Sequence, residues 1–268
     1  MNGSNYCTEY IEETLTSDDI TTPLVLENLL DIKKAVKFRL PDSGILLDIV
    51  DPRNITVEAI TEKMPNYIAE LKLPYDEVAL EFTMQHPNSP DKRSTMIILA
   101  SNKSGGIEFK LVLRILKNGS NFWLDFRLKG FIEPDFNVSL ASALSDSSPI
   151  NETENNVMLY SSYVIMCLVA ALQCSNVIEL EQAAPLKLNK SRVKKGKEPF
   201  FTYKVLTIDS KERLVKQSVL GEGEPKSTKR VHLRRGHIRR LEKKTIWVNP
   251  CVVGDKSKGM VSKDYKVI

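Results

Sequence analysis

The 268-residue chain holds only four cysteines and three histidines. Cys7, Cys167, Cys174 and Cys251 are too scattered for the paired spacing of a zinc framework, and Cys167 and Cys174 sit in an apolar run, where cysteine acts as a small hydrophobe. Reduced, structural thiols are the expectation. A metal site drawn from His232, His237, Cys251 and Asp255 has no recognised ligand spacing, and a Cys251–His237 nucleophilic pair has no supporting pattern. Nor is there a phosphate-binding loop: in SRVKKGKEP, Ser191 stands where its first glycine belongs and Glu198 where its Ser/Thr belongs. The start, MNGSNYCTEYIEETL, lacks a basic segment followed by an apolar one, so no secretory signal is read and the expected location is cytoplasmic. No cofactor, metal or catalytic residue is expected, and an enzyme is the weaker reading.

Long apolar runs are scarce too, with one exception. NNVMLYSSYVIMCLVAALQCSNVI carries no charge from Asn155 to Ile178, which raises the question of a membrane span. Ser161, Ser162 and Gln173 interrupt it, its continuously apolar part is short for a bilayer, and no basic flank orients it. The expectation is a helix near 155–173, buried on most sides and packed on a sheet, with no membrane partner.

Charge is abundant but unevenly placed. From Pro185 to Ile268 there are 23 Lys+Arg against 8 Asp+Glu; the totals of 38 and 34 leave 15 against 26 before Pro185. A net of +15 thus follows a net of −11, an asymmetry that bears on partners rather than on fold. It suggests an acidic α+β region over 1–184 and a basic, β-rich region over 185–268, the two forming either two units or one.

Periodicity supplies the elements. TTPLVLENLLDIKKAVKFRL spaces Leu24, Leu29, Ile32 and Val36 on one helical face, predicting a helix over 24–36; ITVEAITEKM (55–64) predicts another, closed by Pro65. GILLDIV (44–50), DEVALEFTM (76–84), STMIILAS (94–101), IEFKLVLRIL (107–116), NFWLDFRLKGFI (121–132), NVIELEQ (176–182) and FFTYKVLTI (200–208) read as strands. The fourth and fifth flank Asn118-Gly119, whose positive-φ preference predicts a tight hairpin and hence a mainly antiparallel sheet. Asp76, Glu77 and Glu81 alternate with apolar residues as a solvated strand edge would, and His86 reads as a loop residue. PLKLNKSRVKKGKEPF, basic and broken by proline and glycine, reads as a loop or arm, and GEGEPKSTKR (221–230) as a second open segment.

The densest cluster of chemistry is RVHLRRGHIRRL, residues 230–241. It pairs with KTIWVNPCVVG (244–254) as two strands joined by EKK. A β-bulge at Arg235-Gly236 would bring His232, Arg234, His237 and Arg239 to one polar face suited to an anion. Three functions fit. In the first, Arg234, Arg235, Arg239 and Arg240, with Arg192, Lys194, Lys195 and Lys197, hold a nucleic-acid backbone, His232 and His237 add pH-sensitive hydrogen bonds, and Trp247 or Tyr203 stacks on a base. In the second, the chain inhibits another protein by protein–protein contact, for which the acidic first half could imitate DNA. In the third, His232 and His237 form the acid/base pair of a metal-independent ribonuclease.

LNKSRVKKGKEPFFTYKVL, HLRRGHIRRL, KTIWVNPCVVGD and KGMVSKDYKV, in that order, resemble the C-terminal part of a family of uncharacterised phage and prophage proteins. The resemblance covers about 172–268, with LPYDEVALEF (73–82) its one earlier echo. It implies a phage origin, work inside a bacterial host cell, and partners of the kind such accessory proteins have: nucleic acid, or a host defence or metabolic protein. It assigns no site residue.

Overall fold

The computed structural model describes residues 5–16, 22–86, 89–117, 120–143, 148–208, 230–234, 237–248, 251–253 and 255–260. The fold is α+β, a large, mostly antiparallel sheet with a buried helix packed on it. The chain divides into two compact units, 1–170 with 179–206, and 171–178 with 207–268.

Five strands form a meander: β2 (Glu77–His86), β3 (Ser89–Lys103), β4 (Gly106–Lys117), β5 (Ser120–Ile132) and β6 (Val138–Ser142), each antiparallel to the next. Lys117 pairs with Ser120 across the expected hairpin, whose turn residues Asn118 and Gly119 lie outside the described residues. Beyond β2 the sheet continues with β1 (Val36–Arg39), β8 (Tyr203–Ile208) and β7 (Val177–Gln182), in the order β6-β5-β4-β3-β2-β1-β8-β7. β1 is parallel to both of its neighbours. His86 closes β2, paired with Ser89, so the loop assignment is corrected.

Alternation along the strands gives the sheet two buried faces. Ala79, Ile97, Leu99 and Val112 face α1 (Tyr6–Thr16) and α2 (Pro23–Lys34), which return Cys7, Tyr10, Ile11, Leu29 and Ile32 to the same cluster. The alternate residues, among them Val78, Leu80, Phe82, Ile98 and Phe109, are buried on the other face. There Gly44, in a left-handed conformation at φ 72°, sits so close to the Phe82 ring that an added Cβ would lie 3.0 Å from it. Its neighbour Ser43 accepts a 2.6 Å hydrogen bond from Tyr160 of α4 (Glu152–Leu172). α4 is the expected apolar helix. It alone, among the described residues, is long and apolar enough to cross a membrane, and 72% of its most apolar stretch is buried within the protein. Its hydroxyls are satisfied locally, Ser161 donating to the Val157 carbonyl and Ser162 to that of Leu159.

Three expectations are corrected here. The helix expected over 24–36 stops at Lys34, because Ala35 turns extended and Val36 begins β1; its start is set by Thr22, whose hydroxyl accepts from Val25 N, ahead of Pro23. GILLDIV is no strand. Its backbone is met by a side chain instead: the Tyr163 hydroxyl accepts from Ile49 N and Val50 N and donates to the Leu47 carbonyl. PLKLNKSRVKKGKEPF is no open arm, since Leu186–Lys194 form a helix, α5. The short helix at 55–64 is present as α3 (Val57–Lys63), capped by Thr56, with a 3₁₀ turn at Met64–Asn66.

In the second unit, β10 (His237–Arg240) and β11 (Thr245–Val248) form the expected antiparallel pair, closed by Leu241 N donating to the Lys244 carbonyl at 2.7 Å. β9 (Arg230–Arg234) lies between β12 (Cys251–Val253) and β13 (Asp255–Met260). Arg234 pairs with Cys251 and His237 with Val248; Arg235 and Gly236, where the bulge is expected, lie outside the described residues. Residues 221–229 and the KDYKVI ending lie outside the described residues.

Candidate functional site

α5 starts after Pro185 and ends at Lys194, with Gly196 following the C-cap Lys195, so the helix is bounded by proline and glycine. Gly196 takes φ 67°, its N–H donates to the Val193 carbonyl and Lys197 N–H to that of Arg192, which together close the last turn as a Schellman motif. Two side chains then fold the helix onto the chain that follows. Asn189 donates to the Phe200 carbonyl at 2.9 Å and accepts from Phe200 N at 2.8 Å. Arg192 donates from Nε to the Glu198 carbonyl at 2.8 Å, stacks on the Phe200 ring at 4.0 Å and pairs with Glu12 of α1 at 2.6 Å. Further ties hold that connection: Asn5 donates to the Phe201 carbonyl and Thr8 to that of Pro199, and Lys33 pairs with Glu198. α5 is thus fixed to the first unit along one side.

Its other side is open. Lys187, Lys190, Lys194, Lys195 and Lys197 are exposed, and none pairs with a carboxylate among the described residues. Residues 186–197 contain six cations and no acidic residue, and of the six only Arg192 meets a carboxylate, that of Glu12, among the described residues. Three of these lysines, Lys194, Lys195 and Lys197, were singled out by the sequence. Arg192, singled out with them, is instead engaged within the fold.

The second unit carries the other group. Arg239 and Arg240 are exposed on β10, opposite Ile246 and Thr245 of β11. Asn176 brackets Trp247, accepting from its backbone N–H and donating to its carbonyl, each at 2.7 Å, while Ser175 N donates to the Thr245 carbonyl at 2.8 Å. The Trp247 ring is half-buried, its indole nitrogen enclosed. Arg235 and the side chains of His232, Arg234 and His237 lie outside the described residues. Tyr203 is no stacking platform: it is 2% exposed, its hydroxyl turned to Glu81.

Glu81 also corrects the solvated-edge reading, for it is 0% exposed. Its carboxylate accepts from the Tyr203 hydroxyl, from Cys7 N at 3.2 Å and from Arg39 at 3.3 Å. Burial pushes its pKa up to about 7, against the lowering by Tyr203, Arg39 and the Cys7 N–H. Burial likewise pushes the Cys7 thiol far above its usual range, which excludes it as a nucleophile at neutral pH. The cluster is buried, with Cys7 and Glu81 at 0% and Tyr203 at 2% exposure. A groove of about 440 Å³ lies between Val138, Leu140 and the start of α4, lined by no paired acid and base. Among the described residues no group of His, Cys, Asp or Glu is placed to hold a metal ion.

No family model, curated protein or solved structure matches the chain.

Proposed function

We propose that the protein binds nucleic acid through cations of its C-terminal part, contacting the phosphate backbone rather than reading bases in a groove. One observation carries this reading: the five lysines of α5 and its C-terminal turn are exposed with no carboxylate partner among the described residues, whereas Lys110, Arg114 and Lys129 of the sheet are neutralised within the fold. A polymer of phosphates supplies the missing charge and releases its counterions on binding. Arg239 and Arg240 extend the same chemistry to the second unit. Arg234 and Arg235 join them by sequence, with guanidinium forks suited to phosphate, and His232 and His237 as pH-sensitive donors. The resemblance of the C-terminal sequence adds a phage or prophage origin and a bacterial cytoplasm as the place of action. On this reading the protein is a binder and not an enzyme.

The test is fluorescence anisotropy with labelled DNA and RNA across a salt series, the RNA then run on a gel. Binding should weaken steeply with salt, with a slope of roughly 0.9 per phosphate contact in log–log form. Replacing Lys194, Lys195 and Lys197 by alanine should lower that slope by roughly 2–3, and replacing Arg234, Arg235, Arg239 and Arg240 should weaken binding without unfolding. Unchanged affinity in both folded variants, or no binding at low salt, would overturn the reading and direct the search to a host protein that the same surface inhibits. Cleaved RNA, with cleavage lost in His237→Ala, would replace the binder with the ribonuclease.

A further inference from the structure

The lysines of α5 are not alone on its open side. Leu186 is 77% exposed, Val193 60% and Leu188 49%, among the most exposed large apolar side chains of the described residues. Leu186, Lys190, Val193 and Lys194 stand at i, i+4, i+7 and i+8, which places them on one helical face, apolar and cationic groups alternating along it. Lys187 flanks that face, whereas Leu188 projects from about the opposite side of the helix. The inward side is taken by Asn189 and Arg192, which grip 198–200, so the outward face is held in place before any partner arrives.

A duplex meets such a face badly. Its outside offers phosphates for the lysines, but its base faces are hidden in the stack, so Leu186 and Val193 would stay in water beside it. A single strand offers both, phosphates along the backbone and unstacked bases whose faces bury apolar surface without regard to sequence. We infer that α5 is a single-strand contact: Lys187, Lys190, Lys194, Lys195 and Lys197 follow the phosphates, and Leu186 and Val193 cover base and sugar faces between them. The inference rests on the nucleic-acid reading and narrows it. An acidic protein groove would also take an apolar and cationic helix, but five exposed lysines within residues 186–197, with no acid among them, call for an equally unmixed anionic partner, which the phosphate backbone is.

The test uses the full chain with a labelled oligothymidine of about twenty nucleotides, longer than common single-strand site sizes, the matching duplex, and vesicles of anionic and of neutral lipid. At one salt concentration the single strand should bind about tenfold more tightly than the duplex. Leu186→Ser with Val193→Ser should lower single-strand affinity about fivefold to tenfold, leaving duplex affinity and the salt slope unchanged, since no cation is lost. Lys190→Ala with Lys194→Ala should lower both affinities and the slope. These apolar groups face water, so the variants keep the fold. Equal affinity for the two nucleic acids, a tighter duplex, or an apolar variant that binds like wild type overturns the single-strand inference and leaves the nucleic-acid reading standing. Binding to neither form, with or without capture on anionic vesicles, overturns both.

Discussion

The protein treats its cations in two ways. Under α1 and α2 the sheet carries Lys110, Arg114 and Lys129, and each meets acid from the helices: Lys110 pairs with Asp31 and with Glu27 at 3.0 Å, Lys129 with Glu27 at 3.0 Å, and Arg114 with Glu9 at 2.9 Å and Glu13 at 2.7 Å. The polar groups between them are matched as well, Tyr10 and Asn28 both donating to Asp125 at 2.5 and 2.7 Å. On α5 and its C-terminal turn the lysines point outward without such partners. A net charge sums both kinds, yet only the second is left to act on another molecule. Four acids of the first region, Glu9, Glu13, Glu27 and Asp31, therefore join helix to sheet and are not free to meet a partner. Charge asymmetry locates a working surface only after the internally neutralised groups are set aside.

The largest expected effect comes from breaking the first kind of pairing. Lys110 is buried, so Asp31→Asn with Glu27→Gln strands its ammonium without a carboxylate and should cost about 3–5 kcal/mol, read as a lower urea midpoint at unchanged slope. A loss under 1 kcal/mol would mean these pairs behave as surface pairs and that the contrast with α5 is one of geometry alone. The next effect is set by pH. Glu81 ionises near 4.5 in the unfolded chain and near about 7 in the fold, so the folded state holds its proton longer. Stability from this group is full below about pH 4.5 and is lost as the pH rises to about 7, by about 3 kcal/mol. Because other carboxylates titrate in the opposite sense, the readout is the difference from Glu81→Gln, whose stability should lack that fall. Parallel pH curves for the two proteins would show that the three donors keep Glu81 ionised.

How far these features could be read beforehand differs by residue. The meander was legible because Val, Ile and Phe alternate with polar groups and Asn118-Gly119 marks the hairpin, and α4 because no charge interrupts it. GILLDIV misled because periodicity reports burial, not hydrogen-bond partner, and nothing local says that Tyr163, over a hundred residues later, will satisfy its backbone. Glu81 misled for a related reason: alternation puts it opposite the apolar face without showing that a second helical layer, carrying Cys7, covers that side too. At α5 the local signals were present and were weighed as breakers, although Pro185 before a helix and Gly196 after one are boundary marks. Within RVHLRRGHIRRL the bulge that the apolar phase asks for falls on Arg235 and Gly236, outside the described residues.

Gly196→Ala sharpens the comparison from the α5 side at a smaller scale. The site is open, with nothing within 4 Å of an added Cβ, so the cost is conformational only: about 1 kcal/mol for an alanine held left-handed at φ 67°. If α5 binds as a fixed surface, that strain should fray its last turn, speed amide exchange at Gly196 and Lys197, and weaken single-strand binding by no more than about fivefold with the salt slope unchanged. Smallest of all is the effect of removing the lysines on stability. Lys190, Lys194, Lys195 and Lys197 changed together to alanine should leave the urea midpoint within about 0.5 kcal/mol per site, on the favourable side because six cations in twelve residues repel one another and alanine is the better helix former. Set beside the loss expected when Lys110 is stranded, a neutral or stabilising result would separate cations that hold the fold from cations that the fold merely holds out. A clear destabilisation would show instead that these lysines have acidic partners within the chain, and the surface proposed for nucleic acid would already be occupied.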